Sequence, residues 1–425
     1  MRKFLLLVLI SYLPHLYADE EVVARTEILK WLQGKRAAIS ITFDDGTENQ
    51  FKVALPIMQR LGLPATFFII TGEVKGSKYK AQYFGKPLQE IMRDSTPTNQ
   101  NNFLERSSAL RNQINSELGD VFEEGEAQKA YALVDETLAK IRKGELQLKT
   151  PESSDGPMSW DNFRQIAKGN YEFASHTVTH PYLSVLDDAN MMYELRKSQQ
   201  EIREQLGEKH TFSVECPYGT ENERAVNAAL KIYSLARNLM PDAEVQDLNR
   251  WDEQDPGTSK KDYVRWQRGP LSKTSLEQMK QWVDTIIKSD NVWLVLVIHG
   301  VDGIGWEPIP HERLETYFQF IQSHNKDVWT ATFQDAGKYI REKLATEVIF
   351  KWSLKAITVS LTHSIDPKLY NLPLSLKTYV PSSWKRVRIV QGKTSITSEQ
   401  QHDTIGNFVI YDALPNKGDI SLIPF

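Results

Sequence analysis

Between residues 37 and 74, the hydrophobic positions alternate between the patterns of strands and helices. Residues 37–43 are a strand candidate, and residues 64–70 are a nearly continuous apolar run, which is the pattern of a strand buried on both faces. Between these segments, the apolar residues of 51–61 recur mostly at helical spacing. A strand, a helix and a second strand in this order predict parallel strands joined by a right-handed crossover.

The same alternation resumes after residue 157. Helices are predicted at 160–167, 191–206, 223–232, 276–287, 312–323 and 333–344, and strands at 171–175, 211–215, 291–298 and 328–332. The segment 291–298, which contains Val-Trp-Leu-Val-Leu-Val-Ile, has the strongest buried-strand pattern in the chain. Together these elements predict an α/β fold with a parallel sheet.

Two further regions have different patterns. Within 72–157, the charged segments 103–119 and 124–143 carry apolar residues at helical spacing, so we predict an inserted helical hairpin. This insertion could be a functional element or a solvated lid without chemistry. Beyond the last predicted helix, short strands separated by turn signals predict a small β-sandwich. The predicted domains are therefore a barrel at 19–345 and an accessory domain at 346–425.

The first residues resemble a secretory signal peptide. Arg2 and Lys3 precede the apolar run 4–10, and Ala18 offers a cleavage point, so we predict a signal peptide at 1–18. The apolar run is too short to cross a bilayer, and no other stretch is apolar enough to span a membrane. We therefore expect an exported protein, either periplasmic or secreted. Cys216 is the only cysteine, which excludes an internal disulfide.

Charge and composition narrow the choice of partners. The 425 residues include 51 Lys and Arg against 55 Asp and Glu, for a formal net charge of −4. No strongly basic domain or lysine- and arginine-rich run is present. We therefore expect no nucleic-acid partner.

Candidate metal ligands follow two of the predicted strands. Asp44 and Asp45 end the first strand and are followed at once by a glycine, where the backbone can turn sharply. Neighbouring residues of a strand point to opposite faces, so one carboxylate can bind a metal while the other handles a proton. His176 and His180 follow the strand 171–175. Two histidines and one carboxylate form a three-ligand site with an open position, as in catalytic zinc sites, although iron, cobalt and nickel use similar ligands.

Three other positions are candidates for the same site. His299 leaves the strand 291–298 beside a glycine and is either a proton donor or a structural histidine. In the turn 217–219, Tyr218 could present its backbone amide to an oxyanion and its ring to a cleft, although a simple turn explains the pattern equally well. Trp306 could stack on a sugar ring or pack under its loop.

Four of these segments resemble, in order, the motifs of the NodB-homology polysaccharide deacetylases, the fourth carbohydrate esterase family. The segments are Thr42-Phe43-Asp44-Asp45-Gly46, residues 176–181, Pro217-Tyr218-Gly219 and Leu296-Val297-Ile298-His299. The resemblance spans about residues 37–344, apart from the insertion. It implies a distorted (β/α) barrel of fewer than eight strands and a divalent metal, most often zinc. It also implies removal of acetyl groups from an N- or O-acetylated polysaccharide.

The resemblance also implies a role for each motif residue. By motif position, the metal ligands would be Asp45, His176 and His180. Asp44 would be the base and His299 the acid. The family places the amide of the residue equivalent to Tyr218 at the oxyanion.

One position departs from the family pattern. The third motif of the family begins with an arginine, where this chain has Glu215. That arginine pairs with an aspartate of the fourth motif, for which Asp247, Asp252 and Asp255 are the candidates here. Arg237 is a candidate to supply the missing positive charge.

Three functions follow from these observations. The first is a metal-dependent deacetylase that acts on an acetylated polysaccharide. The second, motivated by Glu215, is a glycan-binding protein that kept the fold with little or no turnover. The third is a metal-dependent amidohydrolase acting on a small non-sugar amide. Because a binding protein needs neither a base nor an acid, the presence of both Asp44 and His299 favours an enzyme.

Overall fold

The computed structural model describes residues 22–149, 156–219, 222–239, 242–353 and 355–425, so the predicted signal peptide lies outside the described residues. The chain forms two compact units. The larger unit comprises residues 37–336, and the smaller unit combines the described residues up to Arg36 with Gly337–Phe425. Among the described helices, none has the length and apolar character needed to cross a bilayer.

The larger unit is built on a parallel sheet. With strands numbered along the chain, β1 (Thr26–Ile28) belongs to the smaller unit. The strands of the larger unit are β2 (Ala37–Phe43), β3 (Ala65–Ile69), β4 (Tyr171–Ser175), β5 (Ser213–Val214), β6 (Leu235–Ala236), β7 (Val245–Leu248), β8 (Tyr263–Arg268), β9 (Val292–Ile298) and β10 (Val328–Thr330). They are arranged in the order β6-β5-β4-β3-β2-β9-β8-β7, with β10 beside β2. Every residue of β2, β3 and β9 is buried, as the continuous apolar runs predict for a sheet covered on both faces.

The α/β fold is confirmed, but the strand count differs from the expectation. The described part of the larger unit has nine strands in its sheet, whereas the resemblance implied fewer than eight. Strands β7 and β8 are absent from the elements predicted from the sequence because both contain charged residues. In the structure, Arg265 of β8 is fully buried and pairs with Asp247 of β7 at 2.7 Å, so these charges compensate each other inside the sheet.

Helices flank this sheet and form the insertion. The helices are α1 (Leu55–Leu61), α2 (Leu88–Arg93), α3 (Phe103–Ala109), α4 (Arg111–Glu123), α5 (Ala127–Arg142), α6 (Trp160–Ile166), α7 (Asp188–Leu206), α8 (Glu223–Leu230), α9 (Leu276–Ser289), α10 (His311–Ser323) and α11 (Phe333–Ala345). Helix α7 begins at the N-cap Asp187, whose carboxylate accepts a hydrogen bond from the Asn190 N–H at 3.0 Å. The predicted helical insertion is present, with α2 to α5 in place of a simple hairpin. Its apolar residues share a core with Tyr182 and Val185.

The smaller unit is a pair of antiparallel sheets. Its other strands are β11 (Glu347–Ser353), β12 (Ala356–Thr362), β13 (Leu374–Tyr379), β14 (Arg386–Gln391), β15 (Thr394–Glu399), β16 (Gln401–His402), β17 (Asn407–Ala413) and β18 (Ile420–Pro424). One sheet has the order β1-β13-β17-β16 and the other β11-β12-β18-β14-β15. Residues of both sheets form one hydrophobic core, as in a β-sandwich.

The division of the chain differs from the predicted one at both ends of the barrel. Residues 26–28 fall within the barrel domain predicted from the sequence, but β1 pairs with β13, where Thr26 is opposite Thr378 and Ile28 is opposite Leu376. The compact units also divide after Ala336 instead of after residue 345. A three-residue strand has too little hydrophobic pattern to reveal its pairing partner in the sequence.

Candidate active site

Five polar side chains follow parallel strands at the point where each strand ends. They are Asp44 after β2, His176 after β4, Glu215 after β5, Arg237 after β6 and His299 after β9. Backbone hydrogen bonds continue past the strand ends, as in the 2.9 Å bond from the Asp44 N–H to the Ile298 carbonyl. Because the carboxyl ends of parallel strands meet at one edge of a sheet, these residues from distant parts of the chain come together.

The predicted metal ligands form one cluster. The Asp45 Oδ1 atom lies 3.6 Å from Nε2 of both His176 and His180, and the three donor atoms are all within 4.8 Å of one another. With metal–ligand bonds of roughly 2.0–2.2 Å, the donor atoms of a tetrahedral zinc lie roughly 3.4 Å apart. The Nδ1 atom of His176 is 2.8 Å from the Glu215 carbonyl oxygen, and donation to this carbonyl leaves Nε2 as the ligand atom. These residues therefore fit a divalent metal.

The charge states of the two histidines also suit a metal site. Burial lowers the pKa of His176 to about 4. Burial, followed by the neighbouring His176, lowers the pKa of His180 to about 3. Both imidazoles are therefore neutral near neutral pH, which is the form that binds metals. Burial and the Asp44 charge raise the pKa of Asp45 to about 7, and a bound cation would favour its ionised form.

The backbone around this cluster is strained. Asp45, Thr177, His180 and Tyr218 have φ angles of 74°, 66°, 56° and 70°, in the left-handed region that non-glycine residues seldom occupy. Each such residue costs about 1–3 kcal/mol, and residues of this kind concentrate at functional sites. Three of the four are residues that the sequence predicts for the site.

A buried arginine joins two carboxylates beside the cluster. The two terminal nitrogens of Arg237 each donate a 2.6 Å hydrogen bond to one oxygen of Asp44. Nη2 of Arg237 also lies 2.7 Å from Glu215 Oε1 and forms an ion pair with it. The geometry of this contact is not that of a hydrogen bond. Burial by itself would raise the pKa of Asp44, but Arg237 and then His299 outweigh it and hold that pKa well below its usual value. Burial raises the pKa of Glu215 to about 7, so the single arginine mainly compensates Asp44.

His299 also lies next to Asp44. Its Nε2 is 3.3 Å from Asp44 Oδ2, and burial lowers the pKa of His299 to about 4. The buried Nδ1 of His299 has no hydrogen-bond partner in the described part of the chain. The histidine is therefore next to the predicted base but is not held by a second carboxylate.

The three aspartates considered for the fourth motif have other partners. Asp247 pairs with Arg265, and Asp252 accepts a 2.7 Å hydrogen bond from the Asn249 N–H. Asp255 accepts a 2.8 Å bond from the Gly257 N–H. These contacts make Asp255 and Asp252 parts of local turns, and Asp247 part of the sheet interior.

Tyr218 and Trp306 complete the walls of a cavity at the cluster. This cavity of about 240 Å³ is lined by Asp45, His180, Tyr218, Arg250, His299 and Trp306. The Trp306 ring centroid lies 4.7 Å from that of His299, and half of the tryptophan is exposed. Trp306 therefore both contacts the predicted acid and faces the cavity.

Two residues of the site were missed in the sequence. Arg250 lines the cavity and donates a 3.0 Å hydrogen bond to the Tyr218 carbonyl, but nothing in the polar segment around it would single it out. Glu194 accepts hydrogen bonds from the N–H groups of Val178 and Thr179, at 3.0 and 2.8 Å, and so holds the loop between the two histidine ligands. The sequence signal for Glu194 is its position on the apolar face of an amphipathic helix, where a charged residue needs buried partners.

The fold and the site together define a class of protein. It is a parallel α/β domain whose strand ends carry an Asp-His-His cluster that could hold a metal, beside a buried Asp-His pair. Residues 32–233 match the family model described as "Polysaccharide deacetylase". This match covers 202 of the 425 residues, and over this segment it confirms the resemblance to the polysaccharide deacetylases seen in the sequence.

Similarity to individual proteins is more distant. A gellan lyase from a Bacillus species is 21% identical over 285 residues, which cover 63% of this chain and 11% of that protein. The chain thus spans about a tenth of the length of this curated relative.

Two solved structures illustrate the structural similarity. A family 4 carbohydrate esterase from Streptomyces lividans, in complex with acetate, is 14% identical with a TM-score of 0.30, covering 70% of this chain and 92% of its own. A mutant of the peptidoglycan deacetylase PdaC from Bacillus subtilis is 12% identical with a TM-score of 0.32, covering 72% and 92%.

Proposed function

We propose that this protein is a metal-dependent hydrolase that removes acetyl groups from an acetylated polysaccharide. The observation that carries the proposal is the Asp45, His176 and His180 cluster, which opens into a cavity beside the Asp44–His299 pair. The family match over residues 32–233 supports the same reaction class. Water adds to the acetyl carbonyl, the bond to nitrogen or oxygen breaks, and the products are acetate and a free amine or alcohol.

Asp45, His176 and His180 would hold the divalent metal, with zinc as the first candidate for this ligand set. When bound, such a metal polarises the acetyl carbonyl and makes water more acidic. His176 is held in the ligating tautomer by the Glu215 carbonyl. Glu194 fixes the loop that carries His180.

Asp44 and His299 would move the protons. Arg237 keeps Asp44 ionised, so its carboxylate can accept a proton from the attacking water. Because Nε2 of His299 is 3.3 Å from Asp44 Oδ2, the proton can reach His299, which then protonates the leaving group. The Tyr218 backbone N–H donates to no other described residue and would donate to the developing oxyanion, with the Trp306 ring against the sugar.

The alternative of a glycan-binding protein without turnover was motivated by the missing arginine of the third motif. Arg237 nevertheless brings a positive charge to the site from the neighbouring strand end, where it pairs with Asp44. A binding site has no need for a buried carboxylate held in its ionised form. We therefore place the enzyme first.

One panel experiment tests the three functions. Purified protein is analysed for bound metal and then incubated with acetylated glycans and with small acetyl and formyl amides, while released acid is measured. We expect bound metal and acetate from at least one glycan. Bound metal with no acetate from any glycan would favour the binding protein, and release from small amides alone would favour an amidohydrolase.

We also propose that the protein is exported. Arg2, Lys3 and the apolar run 4–10 support this location. Cell fractionation combined with N-terminal sequencing of the mature protein tests it, and a mature protein that begins with Met1 in the cytoplasm would contradict it.

A further inference from the structure

A second cavity adjoins the candidate active site. It has a volume of about 260 Å³ and shares His180 and Tyr218 with the cavity that contains the metal-ligand cluster. Its remaining walls come from two places: the loop after His176, and the predicted insertion, which contributes Lys80, Arg111, Asn112, Asn115 and Ser116. The insertion is therefore a direct neighbour of the site.

The wall formed by α4 is tied to the loop that carries the metal ligands. Arg111 lies 3.4 Å from Glu194, which in turn accepts hydrogen bonds from two amides of the histidine loop. Asn115 Oδ1 accepts a 2.7 Å hydrogen bond from the Tyr182 N–H. The relative positions of this wall and His180 are therefore fixed by buried and half-buried contacts.

The close packing between α4 and Tyr182 shows how tightly this wall is held. A Cβ atom at Gly119 would lie 2.1 Å from the Tyr182 ring, so only glycine allows this approach. The Tyr182 ring stacks on the Tyr218 ring with centroids 3.7 Å apart, and the Tyr218 hydroxyl is 3.3 Å from Ser116 Oγ. One aromatic stack thus connects the helix of the insertion to the edge of the active site.

The chemistry of the cavity suits a sugar. The polar side chains that the insertion contributes are a lysine, an arginine, two asparagines and a serine, all of which donate hydrogen bonds, and Glu73, whose carboxylate can accept them from sugar hydroxyls. Sugar hydroxyl and ring oxygens accept such bonds, and the Tyr218 ring offers an apolar face. The volume is just below the roughly 300 Å³ at which pockets for drug-sized ligands begin, so one sugar ring fits and a longer oligomer does not.

We propose that this cavity is a subsite for the sugar residue adjacent to the acetylated one, and that the insertion thereby makes the enzyme selective for chains over single sugars. This inference rests on the proposed function, because it names the part of the substrate that the deacetylase would recognise. Asn112 is the residue chosen to test it, since this asparagine lines the cavity from α4 and has no part in the metal cluster.

The experiment compares Asn112→Tyr, which fills the cavity, with Glu117→Tyr, which adds the same side chain at an exposed position of α4. For each protein, kcat/KM is measured with the monomer, dimer and pentamer of N-acetylglucosamine, with the same lengths of acetylated xylose, and with 4-nitrophenyl acetate. We expect the unaltered protein to prefer dimer to monomer, because the dimer is the shortest chain that fills the cavity. Asn112→Tyr should reduce the ratio of dimer to 4-nitrophenyl acetate activity by about tenfold, mainly through KM, and Glu117→Tyr should leave this ratio as it was.

The possible outcomes separate the two proposals. Acetate release without a preference for dimer over monomer, or an Asn112→Tyr ratio that matches the unaltered protein, would overturn the subsite while leaving the deacetylase intact. Activity on 4-nitrophenyl acetate with no acetate from any oligomer would contradict the proposed function itself. If the tyrosine variant does not fold, the same ratio is measured with Asn112→Ala, which removes the amide without adding bulk.

Discussion

Arg237 binds both oxygens of Asp44 with hydrogen bonds of 2.6 Å, and almost no part of either side chain is exposed. Asp44 follows β2 and Arg237 follows β6, which is four strands away in the sheet order. A two-point contact of an arginine with a carboxylate fixes the orientation of the carboxylate as well as its charge. Asp44 is thus ionised and oriented although it is buried.

Replacing Arg237 by methionine should destabilise the protein strongly. Asp44 and Glu215 would then be buried without a cation, at a cost of roughly 3–5 kcal/mol. Urea unfolding of the variant measures this cost. A double variant, Arg237→Met with Glu215→Met, should regain part of the stability but not the activity, because Asp44 still lacks its partner. Equal stability of the single variant and the unaltered protein would contradict the role of this ion pair.

Asp44→Asn should retain bound metal and lose deacetylation. The amide preserves the shape of the side chain but cannot accept the proton from water, so we expect kcat to fall about 10²- to 10⁴-fold. Acetate release and metal content are measured on the same preparation. Asp284→Asn, on the exposed face of α9, is the matched control. Full activity of Asp44→Asn would contradict the assignment of Asp44 as the base.

Removing the metal should abolish activity while the protein stays folded. The larger unit has an extensive hydrophobic core independent of the cluster, so we expect a folded metal-free protein with a lower Tm. Added Zn²⁺ should restore both the Tm and acetate release. In His180→Ala, Zn²⁺ should raise the Tm less than in the unaltered protein. A Tm that does not respond to any divalent metal would rule out the proposed site.

Stability should fall as the pH rises through the ionisation of Glu172. This fully buried side chain accepts hydrogen bonds from Thr66 and the Gln334 N–H, and burial raises its pKa from 4.5 to about 7. The folded state therefore holds a proton that the unfolded chain releases above pH 4.5. Between these two values the free energy of unfolding decreases with pH, by about 3 kcal/mol in total.

Glu172→Gln tests this dependence because glutamine cannot ionise. The variant should be more stable than the unaltered protein at about pH 8, and the two should be similar at about pH 4.5. Urea unfolding at both pH values provides the comparison. Glu117→Gln, at an exposed site, should show no such crossover. A parallel pH dependence for Glu172→Gln and the unaltered protein would be the contradictory result.

Trp306→Ala should weaken glycan binding more than it slows the chemistry. The half-exposed ring lines the catalytic cavity, and its loss should cost about 1 kcal/mol of contact with the sugar, or roughly fivefold in KM. Steady-state kinetics on a responsive glycan separates KM from kcat. Trp251→Ala is the control, since this more exposed tryptophan lies outside that cavity. An unchanged KM for Trp306→Ala would remove the ring from the binding site.

Sequence patterns predicted the centre of the fold well. The apolar runs of β2, β3 and β9 and the periodicity of the main helices reflect burial, which leaves a direct trace in hydrophobicity. Strands β7 and β8 left no such trace because Asp247 and Arg265 compensate each other inside the sheet. The three residues of β1 pair with a strand that is hundreds of positions away in the chain, and such pairing depends on tertiary contacts.

The sequence predicts those residues of the candidate site that lie close to one another in the chain. Asp44 and Asp45, like His176 and His180, lie close in the chain, and the structure brings both pairs together. From the sequence, Arg237 is only a candidate, because Glu215 stands where the family has an arginine and another residue must supply the positive charge. Glu194 and Arg250 act on the site through hydrogen bonds to loops elsewhere in the chain. The position of Glu194 on the apolar face of its helix indicates burial, but only the folded chain shows that either residue belongs to the site.

The parallel arrangement of β5 and β6 has a consequence for how such sites change over evolution. The ends of adjacent strands are neighbours in space although more than twenty positions separate Glu215 from Arg237 in the chain. An arginine at the end of either strand can therefore bring a positive charge to the same edge of the sheet, where it can pair with a carboxylate such as Asp44. A homologue with its arginine at the neighbouring strand end would be missed by a search for arginine in the third motif. A search for a positive charge at the same position in the three-dimensional structure would find it.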